Sequence, residues 1–441
     1  MGFVQGEGRT PGSLFPVPLE ELIPDDHVCR AIDGFVERLE MAGLRFERAE
    51  AAESGRPGYD PRDLLKLYLY GYVQQIRSSR RRAGECRRNV ELLWLLGRLT
   101  PDHKTIAEFR RMHREAVAEA GGELIQFARQ VGLIGGEWVA IEGSKFRAVS
   151  SARSVREREA VQGYVEELES GDAQEEVVID PRAVASALEK LRQHPEAAAR
   201  FMRTPNGKAP AYNVQTAVDA DALIVVEQVT DQATDNRSLQ PMAEAAQAAV
   251  GEPTLNVVAD AGYSNGEQAE AGEAKGIVPH VPANRAVNNQ GDGTLFDRKE
   301  FSYQPESDTF RCPAGETLTR KQLSRKDRAV YYAGQPEVCG ACALKSRCTV
   351  GAQRFVSRHV HEAALQRMQQ RATPEVMRLR RSTVEHPFAT LKYRIFGHPR
   401  FLLRGLNGAW TEMSLAVMVY NLKRMTKVLG ASQLRARLAV V

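Results

Sequence analysis

From about residue 137 the chain changes its apolar period, and that change constrains the fold more than any other feature. EWVAIEGSKF is a short apolar run rather than a helical stripe. AYNVQTAVDA and LIVVEQVTD follow as two strand-like runs around Asp219-Ala-Asp221, which reads as a hairpin. Ser238 then opens a helix over LQPMAEAAQAAV, TLNVVAD is a strand, NGEQAEAGEAKG a helix and IVPHVP another strand. Strand, hairpin, helix, strand, helix, strand predicts the α/β class: a mixed sheet with interruptions. One interruption is a charged helical excursion over about 152–203, which contains Pro181 and Pro195.

Such a sheet can set the first strand beside TLNVVAD, and both strands end in an acid. Glu142 precedes the small-residue turn Gly143-Ser144, and Asp260 precedes Ala261-Gly262. Two carboxylates emerging at neighbouring strand ends suit a hard ion such as Mg²⁺, which prefers oxygen ligands and keeps coordination positions for phosphate. The plainer alternative is a pair of acids capping turns, which is the better reading of Asp219 and Asp221 at the hairpin tip. A third acid, Glu385, lies on a basic helix that starts at Thr373-Pro374-Glu375. Arg381, Glu385 and Lys392 are spaced by 4 and 7 residues, which at about 100° per residue returns all three to one face within about 40°. Pro387 interrupts that helix by removing a hydrogen bond. The competing reading is a solvated basic helix with an ion pair.

Residues 1 to about 130 read as helical after an arm rich in Gly and Pro. Asp60-Pro61 is an N-cap and first-turn proline for DLLKLYLYGYVQQI, and further helices are expected at about 85–97 and 103–130. The net charge of +4 is too mild to imply nucleic acid by itself, so the argument rests on clustering. Arg77, Arg80, Arg81, Arg82, Arg87 and Arg88 form one patch, Arg110 and Arg111 belong to a second, and Arg378, Arg380, Arg381, Lys392, Arg394, Arg400 and Arg404 surround Glu385. Three such patches favour a polyanion, although any one alone reads equally well as a solvated helix face. With 43% hydrophobic and 26% charged residues the composition is that of an ordinary globular protein. No run approaches the roughly 20 apolar residues of a membrane span, and MGFVQGEGRTPGS lacks the order of a signal peptide, so a cytoplasmic protein is expected.

Four of the six cysteines fall between the second and third acids, as Cys312 and then Cys339-x2-Cys342-x5-Cys348. In a cytosolic chain metal is favoured over disulfides, and four thiolates make a closed structural Zn²⁺ site. Reduced packing thiols are the alternative. Cys29 and Cys86 read as core residues.

The spacing R-x3-E-x6-K at Arg381, Glu385 and Lys392 resembles the signature around the third acid of bacterial insertion-sequence DDE transposases. GSKF, YNVQTAVD, VADAGYSN, VEHPFATLKYRIFG and the N-terminal PLEELIPDDH extend the resemblance along nearly the whole chain. It implies a ribonuclease H-like catalytic core over 131–290 and 370–441, with 152–203 as a helical insertion. It further implies an N-terminal helical DNA-binding domain over 1–130 and a small Cys-rich insertion over 291–369. By position, Glu142, Asp260 and Glu385 would hold two Mg²⁺ (or Mn²⁺) ions for cleavage and transfer of DNA strands. Arg381, Lys392 and Lys145 would stabilise substrate phosphates. Double-stranded DNA, as terminal inverted repeats and as target, is the implied partner, with a homodimer as the active form and a bacterial, nucleoid-associated location. Where the family pattern has Asp, this chain has Glu142. The longer side chain moves the carboxylate by roughly 1 to 1.5 Å, a displacement that costs metal-assisted catalysis about a hundredfold, so this copy is expected to be weakened. A catalytically inactive DNA-binding derivative and a metal-dependent nuclease on the same core are the other readings.

Overall fold

The structure, a computed structural model, describes residues 18–50, 58–153, 155–156, 189, 199–204, 207–283, 295–324 and 328–440. The arm before residue 18 and most of the excursion expected over 152–203 lie outside the described residues.

The chain begins with helices α1 (Val28–Arg38), α2 (Pro61–Val73), α3 (Ser79–Glu85), α4 (Val90–Leu95), α5 (His103–Met112) and α6 (Arg114–Gln130). The Asp60 carboxylate accepts the Arg62 N–H at 2.8 Å while Pro61 takes the first helical position, so α2 starts where its sequence says. Its Leu64, Leu65, Leu67, Tyr68, Leu69, Tyr70 and Tyr72 are all buried, and an apolar surface on every side makes it a central helix. The run 103–130, expected as one helix, breaks at His113, whose ring accepts the Glu47 N–H at 3.0 Å and packs between Phe46 and Phe109. The stretch expected as one helix over 85–97 is likewise split, with Asn89 capping α4.

Next comes a mixed sheet of β1 (Trp138–Arg147), β2 (Arg200–Thr204), β3 (Gly207–Asp219), β4 (Ile224–Thr230), β5 (Leu255–Val258) and β6 (Ile277–His280). Helices α7 (Leu239–Val250) and α8 (Gly266–Glu273) join its later strands. The order is β2-β3-β1-β5-β6, and β4 also pairs with β3. Strands β1 to β4 are antiparallel, while β1, β5 and β6 run parallel. Residues 200–203, expected to be helical, are a strand instead, because Arg200–Thr204 finds a ladder partner in Gly207–Ala211.

A separate antiparallel sheet follows, ordered β11-β10-β9-β8-β7, from β7 (Ser302–Gln304), β8 (Thr309–Arg311), β9 (Thr317–Ser324), β10 (Ala329–Ala333) and β11 (Phe355–His359). The short helices α9 (Pro336–Ala341) and α10 (Lys345–Cys348) lie between its last two strands in sequence. Phe301, Phe310, Leu318, Val330, Tyr332 and Val356 form its core. The chain ends with α11 (Glu362–Arg371), α12 (Pro374–Ala389), a π-helical turn Thr390–Ile395, α13 (Gly405–Leu429) and α14 (Ala431–Val440).

Two compact units result. One comprises residues 1–133 with 389–441, the other 134–388. The division expected from sequence grouped 370–441 with the mixed sheet. Residues 389–441 join the N-terminal helices because α13 packs along α6 and α2, and α14 along α1. The buried carboxylate of Glu412 fixes that arrangement by accepting from Arg77 at 2.5 Å and from the backbone N–H groups of Leu402 and Leu403. No helix among the described residues is long and apolar enough to cross a membrane.

Candidate active site

The site grows out of the parallel pairing of β1 with β5. Ala140 is in register with Val258, so Glu142 and Asp260 each stand two residues past the same ladder position. With strands about 4.8 Å apart and alternate side chains on one face, the two carboxylates are neighbours. The Asp260 carboxylate also accepts the Gly262 N–H at 2.8 Å and opens a short 3₁₀ turn over Ala261–Tyr263. Burial pushes its pKa up, the Gly262 N–H opposes that, and the charge of Asp235 adds to the rise.

Helix α12 covers this face. Val376, Met377 and Val384 pack on Ala140 and Val258, which turns Arg380 toward the sheet. Its guanidinium touches the Glu142 carboxylate and lies 3.6 Å from Asp260 Oδ2. The Arg380 Nε is buried without a hydrogen-bond partner, and burial pulls the guanidinium's pKa down. Arg380, which the sequence offered only as part of a basic patch, is therefore the cation between the first two acids.

Arg381 and Glu385 occupy the opposite, exposed side of the same helix. Glu385 acts on Arg380 electrostatically, but among the described residues no hydrogen bond or ion pair joins it to Glu142 or Asp260. Lys392 lies beyond Pro387, in the π-helical turn. A π turn inserts an extra residue into the repeat, so the 100° arithmetic that put Arg381, Glu385 and Lys392 on one face does not carry through it. The Lys392 pKa is lowered by burial. Lys392 falls in the first unit and Glu385 in the second.

A further acid, Asp235, escaped the sequence reading. Its Oδ1 accepts from Asn213 at 2.6 Å, Gln215 at 2.6 Å and Lys145 at 3.3 Å. Asn213 pairs with Lys145, and Gln215 with Gly143, across β3 and β1, so this network lies on the sheet face opposite Glu142. Gly143 is required there: a Cβ would stand 2.5 Å from both Asp235 Oδ1 and Gln215 Nε2. Tyr263 extends the network by donating to Gln215. Burial pulls the Lys145 pKa down while Asp235 opposes the shift, so Lys145 has a resident anionic partner. The strand-end pattern that exposed Asp260 points after β4 to Asp231 rather than Asp235, so no local signal marked Asp235.

The basic residues separate into two groups. Arg80, Arg81, Arg87, Arg88, Arg111 and Arg394 are exposed and Arg110 half-buried, with Arg88 held by Glu85 and Arg111 by Glu108. Arg77 and Arg82, expected in the DNA-contacting set, are both buried. Arg77 pairs with Glu412 and donates to the Phe396 and Arg400 carbonyls at 3.2 and 2.8 Å. Arg82 is 0% exposed and stacks over Tyr68 at 4.2 Å, its guanidinium lying against Gly71. They build the helical unit from inside. Cys312, Cys339, Cys342 and Cys348 line one small cavity beside the five-stranded sheet, whereas Cys29 and Cys86 are buried elsewhere.

Residues 17–112 match a family described as Transposase domain (DUF772), and residues 190–422 match the Transposase DDE domain. No curated protein and no solved structure matches the chain.

Proposed function

The chain belongs to the insertion-sequence DDE transposases, and from that membership we propose that it binds the terminal inverted repeats of its element and catalyses metal-dependent cleavage and transfer of DNA strands. The observation that carries the reading is the side-by-side placement of Glu142 and Asp260 at one end of two parallel strands. The sheet order, an antiparallel β1-β3-β4 set extended by parallel β5 and β6, supports a ribonuclease H-like core. Glu142 and Asp260 supply hard oxygen donors, and the Arg380 guanidinium already takes a cation's position beside both, so the donor set fits a divalent ion. Divalent ions bound there would activate water or a DNA 3′-hydroxyl and stabilise the leaving oxygen.

The chain's own residues then divide the work. Glu142 and Asp260 would hold the ions, and Glu385 on α12 would be the third carboxylate of the set. Arg380, released from the carboxylates it neutralises, would be available to a substrate phosphate, as would Arg381, and Lys392 is proposed as a further phosphate-stabilising residue. Asp235 holds Lys145, Asn213 and Gln215 behind β1 and is a positioning residue. Exposed Arg80, Arg81, Arg87, Arg88, Arg110, Arg111 and Arg394 are the DNA-contacting set, and two copies are needed to pair two ends. In the test, the purified chain meets end-labelled duplexes carrying the element's terminal repeat, with Mg²⁺ or Mn²⁺. Repeat-specific gel shift together with metal-dependent cleavage at the element boundary is expected; neither appearing overturns the proposal. Binding without cleavage would favour the second reading, an inactive DNA-binding derivative, which the closure of Arg380 onto Glu142 supports.

A further inference from the structure

We propose that Cys312, Cys339, Cys342 and Cys348 hold a structural zinc ion that braces the small five-stranded sheet. The inference rests on no part of the transposition reading. All four thiols line one cavity of about 200 Å³, together with Leu318, Gly334 and Val338. The Cys339 sulfur approaches the main chain closely, since a Cβ on Gly334 would stand 2.7 Å from it. Cys312 sits in the tight turn between β8 and β9, where Gly315 N–H donates to its carbonyl at 2.8 Å and its own N–H donates to Glu316 O at 2.9 Å. Cys339 and Cys342 flank the end of α9, and Cys348 ends α10. Two turns and a short helix present four sulfurs to one cavity, the donor set of a closed structural site for a soft, redox-inert ion.

The sheet needs such a brace. Its buried core is the six side chains named above, with Cys312 and Cys348 packed against it, and a core that small rarely holds a module without a staple. The six cysteines of the chain are free thiols, so no disulfide supplies one. Each thiol releases its proton to solvent as its sulfur binds the cation, so uptake falls as pH falls.

The competing group is His27, Cys29 and Glu91, whose ligand atoms lie within 4.8 Å of one another, a spacing that no three of the four clustered sulfurs meet. Metal binding at the cysteine cavity therefore draws the turns at Cys312 and at Cys339 to Cys342 together. The tighter group is explained without metal: His27 Nδ1 accepts the Cys29 N–H as the cap of α1, Nε2 faces Glu91 at 3.5 Å, and burial pushes the Cys29 thiol up to about 12.

The test is elemental analysis of the full chain purified from zinc-supplemented cells, followed by chelation and refilling with Co²⁺. Stoichiometric zinc and an intense thiolate-to-cobalt charge-transfer band are expected. The Cys312→Ser/Cys348→Ser double variant should lose both, while Cys339→His keeps the metal with a shifted band and Glu91→Gln changes nothing. Should the double variant fail to fold, the wild-type cobalt spectrum and the Cys339→His shift still decide the ligand set. Absence of metal from the wild type, oxidation of the four cysteines to disulfides, or loss of metal only in Glu91→Gln overturns the proposal.

Discussion

Arg380 joins Glu142 to Asp260, touching the first carboxylate and standing 3.6 Å from the second. On the proposed reading its positive charge stands where a divalent ion would bind, so the guanidinium and the metal would compete. Replacing Arg380 with Gln should tighten Mn²⁺ binding measured by calorimetric titration. It should also lower the stability of the metal-free protein by about 1 to 3 kcal/mol, because two neighbouring acids lose their shared partner. An unchanged Mn²⁺ affinity would count against the competition.

Shortening the first acid tests the same contact from the other side. Glu142→Asp withdraws the carboxylate from Arg380 by roughly one C–C bond length, about 1.5 Å. Single-turnover cleavage of a repeat-bearing duplex should rise by about a hundredfold if the longer side chain misplaces the site. Equal rates in the two proteins would show that the backbone of β1 already compensates.

The Asp235 network predicts an intolerance at Gly143. An alanine there places its methyl 2.5 Å from Asp235 Oδ1 and Gln215 Nε2, and overpacking of this kind costs about 1 to 3 kcal/mol. Thermal melts of Gly143→Ala should show that loss, and Asp235→Ala added to it should recover part. Additive losses in the double variant would place the clash elsewhere.

Burial divides the arginines of the N-terminal patch by what their loss should do. Arg81→Ala and Arg87→Ala, both exposed, should each weaken DNA binding at all sequences and reduce the slope of log affinity against log salt by about 1. Arg82→Met should leave that slope alone and hold or raise the melting temperature, since a fully buried guanidinium with all three nitrogens unpartnered is replaced by apolar volume. A reduced slope in Arg82→Met would return that residue to the DNA surface.

Asp219 supplies a pH dependence. Burial raises its carboxyl to about 7, although the backbone N–H of Leu223 partly opposes the shift. A carboxyl whose folded pKa lies above its unfolded value favours folding while protonated. Its contribution is complete below the unfolded value near 4 and is lost as pH rises through about 7. Stability from chemical denaturation should therefore fall between pH 4 and 7 by more in the wild type than in Asp219→Asn. Parallel curves for the two proteins would remove Asp219 as the source.

What the sequence made legible was whatever depended on local pattern. Short apolar, strand-like runs marked β1, β3, β4, β5 and β6, and Asp60-Pro61 marked the start of α2. The neighbouring placement of Glu142 and Asp260 followed from two strand-end acids and one plausible sheet. Arg380 was not separable from Arg381, because adjacent residues on a helix point about 100° apart and only Val376, Met377 and Val384, pressed on Ala140 and Val258, decide which arginine faces inward. Arg77 and Arg82 looked like surface charge because their partners, Glu412 and the α2 tyrosines, are either hundreds of residues away or aromatic. The assignment of α13 to the N-terminal helices was hidden for the same reason: nothing near residue 405 in sequence announces a partner near residue 120.

Because residues 1–133 share a unit with 389–441, synthesis imposes an order. The sheet-bearing half is contiguous and is complete in the nascent chain while the helical half still waits for its last two helices. A ribosome that stops early thus leaves a sheet domain without a finished helical partner, and only full-length translation assembles both.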